Sequence, residues 1–126
     1  MFHHFHSDTQ PAYASGSITA AELDLIIVRV GRANVLDADV YIQRRADGTL
    51  LPHQTCITFD DGLQCQYKVA LPVLQRHNIK AAWHIYTCVY EEKSPEQLEV
   101  YKYFQAKCFP NVDEFYSAFF KAAEQA

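Results

Sequence analysis

An apolar, β-branched run that stops on two adjacent acids and a glycine, Ile57-Thr58-Phe59-Asp60-Asp61-Gly62, sets the terms for this chain. Such a run reads as a buried strand reaching a polar rim, with the glycine letting the backbone turn at once. Successive strand residues point to opposite faces, so the two acids can do different work: one can reach a metal while the other faces a bound water. The remainder of the sequence is read as scaffold around that edge.

Composition narrows the class. With 126 residues the chain makes one domain or part of one, and 49% hydrophobic with 21% charged residues suits a folded globular protein. A net charge of −4 and a pI near 5.8 argue against a nucleic-acid or anionic-membrane binder. No stretch approaches the roughly 20 apolar residues of a membrane span. The first residues lack the basic, apolar, small-residue order of a signal peptide, so a cytoplasmic location is expected. Cys56, Cys65, Cys88 and Cys108 form no C-x-x-C pair and read as small core residues or free thiols.

In chain order, Met1 to Phe5 is expected to be a short strand beside the central one, followed by a loop over His6 to Gly16. Thr19 with Glu22 is a capping-box signature; Leu23, Ile26, Ile27 and Val30 then repeat at helical spacing up to Gly31. Asp37 can cap a second helix running to Arg45, and Asp47-Gly48 marks a turn. The central strand is expected over Thr55 to Phe59. A helix follows with Tyr67, Ala70, Leu71 and Leu74 on one face, loosened by Pro72 and stopped by a left-handed Asn78. Lys80 to Tyr86 reads as a further buried strand, which makes strand, helix and strand a βαβ unit with parallel strands. Ser94-Pro95-Glu96-Gln97 predicts another helix start, and Asn111 with Glu114 a last one, whose Val112, Phe115, Tyr116, Phe119, Phe120 and Ala123 form a wide apolar stripe.

Paired acids after a strand have three chemical readings: a hydrated divalent metal, base plus ligand in a hydrolase, or a phosphoryl-transfer site. Adjacency weakens the last, which favours acids spaced by one residue. A solvated strand end, with an Asp capping the next helix, is the bland alternative. The surroundings of the pair favour the hydrolase. Thr58-Phe59-Asp60-Asp61-Gly62, then Val69-Ala70-Leu71-Pro72-Val73-Leu74, then Asn78-Ile79-Lys80-Ala81-Ala82-Trp83 resembles the polysaccharide deacetylase (NodB-homology) family, with its T-F-D-D-G motif, ALPIL-type helix and G-I-K-A-T-F-F-type strand. Phe2-His3-His4-Phe5 and Gly16-Ser17-Ile18-Thr19 are similar to that family's aromatic-His-His first strand and next helix. The likeness runs from the first residue to about Thr87.

The resemblance implies an α/β fold, an incomplete (β/α) barrel with parallel strands and flanking helices and the site at the strands' carboxyl ends. It implies a metal-dependent hydrolase of the carbon–nitrogen amide bond of N-acetylated sugar or polysaccharide. Asp60 falls on the general base and Asp61 on a metal ligand; the family's usual cofactor is zinc or another divalent ion. In that chemistry a metal-bound water attacks the acetamide carbonyl, a carboxylate takes its proton and the metal steadies the oxyanion. The family's H-S/T-x-x-H motif, which supplies two further ligands, and its later Arg, Asp and His motifs do not occur in these residues. Residues 1–126 are therefore expected to be the N-terminal part of such a domain: a fragment, a truncated gene or one half of a split protein.

His3, His4 and His6 are candidate substitutes for the missing ligands. His3 and His4 face opposite sides of a strand, so at most one turns with Asp61, and a core or rim role is the expectation for all three. His84 is expected to be a packed core histidine, His53 and His77 to be solvated, Trp83, Tyr86 and the last helix's aromatics to be core packing. Nothing marks Cys65 as a nucleophile. Beside the enzyme stands a second expectation, a non-catalytic remnant or partner-binding piece that self-associates or docks a missing C-terminal half through its apolar stripe and strand edges.

Overall fold

The computed structural model describes residues 1–9, 14, 16–87 and 95–125 of the chain. The expected roles of Cys88 and Ser94, and most of the loop between Thr9 and Gly16, lie outside the described residues. Among the described residues the order is α1 (Ala20–Val30), a 3-10 turn (Arg32–Asn34), β1 (Val35–Leu36), α2 (Ala38–Ala46), β2 (Thr55–Cys56), β3 (Thr58–Phe59), a wide turn (Gln66–Ala70), α3 (Leu71–His77), β4 (Ala82–Trp83), α4 (Gln97–Cys108) and α5 (Val112–Ala123).

All strand pairing is parallel. Thr58 and Phe59 of β3 pair with Ala82 and Trp83 of β4, and Val35 and Leu36 of β1 pair with Thr55 and Cys56 of β2. The opening segment lies along the other side of β3: the Phe2 N–H donates to the Thr58 carbonyl at 2.9 Å and the Asp60 N–H to the Phe2 carbonyl at 3.2 Å. The α/β character is thus present, and the opening segment lies beside the central strand as expected, though through the isolated bridge of Phe2 to Phe59 and not a strand ladder. Two further corrections follow. The expected single strand over Thr55 to Phe59 changes partner at Ile57, whose carbonyl accepts from the Ala82 N–H. β1, a two-residue strand, was not foreseen because two apolar residues carry no readable period.

The helix starts follow local chemistry. Thr19 Oγ1 accepts from the Glu22 N–H at 3.2 Å while Glu22 accepts from the Thr19 N–H at 2.7 Å. Asn111 Oδ1 accepts from the Glu114 N–H at 2.9 Å. α4 begins two residues later than the Pro-first-turn reading, capped by Glu96, which accepts from the Glu99 N–H. Asp37 precedes α2 but gives its carboxylate to the Lys80 N–H at 2.9 Å, tying that helix to the approach to β4.

Pro72 explains the wide turn. It has no N–H, and its ring crowds the carbonyl four residues back. The backbone relaxes into five-residue spacing, the Leu71 N–H reaching the Gln66 carbonyl, before α3 resumes α-helical pitch. Asn78 closes α3 in the left-handed region at φ 51°. Arg32 then reaches across to that helix end, donating to the carbonyls of His77, Asn78 and Val35 at 2.5, 2.6 and 2.7 Å. His77, expected to be solvated, instead donates to Asp24 Oδ1 at 2.8 Å.

The core gathers on Phe59. Its fully buried ring stacks on Trp83 at 4.4 Å and meets Phe5 at 5.7 Å and Phe2 at 6.3 Å, above Leu23, Ile27, Val73 and Leu74. The last helix departs from its expected core role. Phe115 is buried against Tyr101 and Phe109, whereas Val112, Tyr116, Phe119 and Phe120 are 41–59% exposed. No described helix is long and apolar enough to cross a membrane.

Truncating the hub should weaken the whole fold. Phe59→Ala is expected to cost roughly 3–5 kcal/mol in urea unfolding, while the exposed control Ile42→Ala should stay within about 0.5 kcal/mol.

Candidate functional site

Asp60 and Asp61 stand at the carboxyl end of β3, where both line one open cavity of about 540 Å³ with Met1, His3, His84, Ile85 and Tyr86. The backbone turns sharply there. Asp61 has φ 77° and Gly62 φ 64°, two consecutive residues in the left-handed region that most side chains avoid. A methyl at Gly62 would lie 3.0 Å from the Ile85 side chain, so the glycine also permits close approach of the 84–86 segment.

Gln66, fully buried in the wide turn, holds the edge from behind. Its Nε2 donates to the His3 carbonyl at 2.8 Å and to the Asp60 carbonyl, joining the first strand to the carboxylate turn. Its Oε1 is buried with no partner among the described residues.

The two acids have separate surroundings. Asp60, with its side chain 24% exposed, accepts from His84 Nδ1 at Oδ1 over 2.9 Å, and its Oδ2 lies 3.6 Å from His3 Nε2, beyond hydrogen-bond range. Oδ2 therefore keeps lone pairs for another proton donor. A ring nitrogen facing an ionised carboxylate must donate, so His84 presents its Nε2 as the remaining site. His84 is thus no core histidine: its side chain is 66% exposed at the rim. The β4 ladder ends at Trp83, and just beyond it the His84 N–H donates to the Phe59 carbonyl at 2.8 Å.

The Asp61 side chain is only 5% exposed and faces a charge relay. Its Oδ2 is buried without a hydrogen-bond donor and lies 3.7 Å from Lys102 Nζ on α4. Lys102 donates to Glu99 Oε1 at 2.7 Å, and Glu99 Oε2 accepts from His4 Nε2 at 2.8 Å. Burial pushes the Glu99 carboxyl up, but the hydrogen bonds from Lys102 and His4 outweigh it and hold the group below the usual carboxylate range. The Tyr86 hydroxyl donates to Asp61, an interaction that, with burial and nearby acids, pushes its pKa up to about 12. Tyr86 is accordingly a polar contact of the site and not core packing.

His3 and His4 do fall on opposite sides, one toward Asp60 and the other toward Glu99, while His6 Nδ1 pairs with Ser17 at 2.9 Å. Among the described residues no three His, Cys, Asp or Glu side chains are grouped as a metal ion requires. Asp61 offers one buried oxygen, and the cation nearest to it is an ammonium. These residues do not fit a zinc site. Cys65 is half-buried, which pushes its thiol up and away from nucleophilic character. Sequence reasoning missed Gln66, Glu99 and Lys102. The i,i+3 spacing of Glu99 and Lys102 was readable as a helix pair; their reach to His4 and Asp61 was not.

The fold and this edge define an α/β protein with two carboxylates at the carboxyl end of a parallel strand. Residues 48–103 match the polysaccharide deacetylase family, a segment running from Gly48 through both acids, α3 and β4 into the first half of α4. That segment is similar to polysaccharide deacetylase sequence, in line with the Thr58–Gly62 motif, and the match suggests a deacetylase-like function on carbohydrate. No curated protein and no solved structure matches the chain.

Two measurements check the scaffold. Gln66→Leu removes the donor shared by two carbonyls and should cost roughly 1–3 kcal/mol in urea unfolding, with Gln66→Glu costing more. Because Glu99 is held below its ordinary pKa, its pairing stabilises the fold above that ordinary value and is lost as pH falls through the lowered one. Glu99→Gln should therefore shift the urea midpoint at neutral pH, and the difference from the native chain should shrink progressively as pH falls below the ordinary Glu value of about 4.3.

Proposed function

We propose that the chain carries the carboxylate edge of a polysaccharide deacetylase-type hydrolase, part of an incomplete (β/α) barrel acting on the acetamido group of an N-acetylated sugar or polysaccharide. Asp60 is the general base of this reading. The observation that carries it is the placement of Asp60 on an open cavity at a parallel strand's carboxyl end, with one oxygen fixed by His84 and the other left to accept. Water attacks the acetamide carbonyl as Asp60 Oδ2 takes its proton, and the adduct collapses as Asp60 passes that proton to the leaving nitrogen, which breaks the C–N bond and releases the sugar amine and acetic acid, ionising to acetate in solution. A base so held needs little reorganisation when the proton arrives.

By resemblance Asp61 is the family's metal ligand and zinc its usual ion. Around Asp61 the described side chains do not complete such a site, and no step is assigned to an ion. That same observation favours the second reading, a non-catalytic remnant or partner-binding piece of such an enzyme, in which Asp61 serves structure through Lys102.

Acetate release from N-acetylglucosamine oligomers separates the two. Slow release by the native chain, falling about 10²-fold or more in Asp60→Asn, is the expected outcome. Release no greater than that of Asp60→Asn, with or without added zinc, would establish the non-catalytic reading.

A further inference from the structure

We infer that Lys102 is the built-in counter-ion of Asp61, so that α4 fills with its own ammonium the cation position that a divalent ion would have to take. The geometry carries this. Asp61 Oδ2 is buried, has no hydrogen-bond donor among the described residues, and has Lys102 Nζ at 3.7 Å. A carboxylate so far from water needs a positive neighbour, because removing a charge from solvent without compensation is costly. The lysine is not a stray surface group. Its ammonium is 2.7 Å from Glu99 Oε1, one turn earlier on the same helix, and Glu99 is fixed in turn by His4 Nε2 at 2.8 Å on the first strand. Lys102 thus bridges two acids, Glu99 on its own helix and Asp61 on the β3 turn, and His4 anchors the far end.

The charges account for one another. Two carboxylates meet one ammonium and one imidazole donor, and the Tyr86 hydroxyl adds a neutral hydrogen bond to Asp61. A divalent ion brought to Asp61 would have to displace Lys102 and would then lie beside an ammonium still bound to Glu99. Like-charge repulsion at such separations is strong where water is scarce. Among the described residues no second and third ligand stand ready to offset it. α4 therefore holds over Asp61 an ammonium whose removal is the condition for another cation to bind there.

This inference shares Asp61 with the deacetylase reading but does not depend on turnover, so the two can fail separately. The test is calorimetric titration of the whole chain with Zn²⁺ alone, for the native protein, Asp61→Asn, Lys102→Met and the double variant. The native chain and Asp61→Asn should bind equally weakly. Lys102→Met should gain roughly tenfold in affinity, and the double variant should lose that gain. Thermal unfolding supplies an independent readout: Lys102→Met should lower Tm, and by much less in the Asp61→Asn background, whereas Lys102→Arg should retain native behaviour. Tight, Asp61-dependent binding by the native chain would overturn the inference, as would Zn²⁺ affinity or a Tm loss indifferent to the partner substitution. If Lys102→Met does not fold, Lys102→Gln takes its place with the same outcomes.

Discussion

One buried primary amide holds the site edge together. Gln66 donates both to the His3 carbonyl and to the Asp60 carbonyl, so the first strand and the turn after β3 are joined at the point where neither has further ladder to join. Parallel pairing alone would leave those strand ends open, since each stretch of ladder is only two residues long. The amide reaches both carbonyls from the start of the wide turn that runs up to Pro72. Secondary structure, proline chemistry and the placement of the carboxylates are in this sense one constraint.

Above that amide the two acids diverge in character. Asp60 keeps solvent access and imidazole company, which suits a group that exchanges protons. Asp61 is enclosed, held by a hydroxyl and balanced by an ammonium, which suits a fixed charge. Adjacent residues reach such different surroundings because a strand end sends neighbours to opposite sides, and the left-handed backbone at Asp61 sharpens the separation.

What could be read from the sequence was the information that is local. Thr19 with Glu22, Asn111 with Glu114, the left-handed Asn78 and the strand stopping at Asp60 all appear where their own chemistry puts them. Partner choice over long range was not readable. His84 lies in a run that alternates like a buried strand, yet the ladder ends one residue earlier and leaves the imidazole at the rim. Lys102 resembles any solvated helix lysine, and only the packing of α4 against the β3 turn gives it Asp61. The stripe on α5 was correctly seen as apolar, but amphipathicity does not say how much of a face finds cover, and only Phe115 is buried.

The missing side chain at residue 62 has a consequence of its own. Ile85 sits so near that a β-carbon there would press on its side chain at 3.0 Å and oblige it to give way, between the imidazole and the phenol that touch the acids. The spacing between two stretches of polypeptide that touch the acids is thus gauged by an absent methyl. The demand on this residue is one of contact and backbone conformation, with φ at 64°, and is independent of any chemistry the carboxylates do.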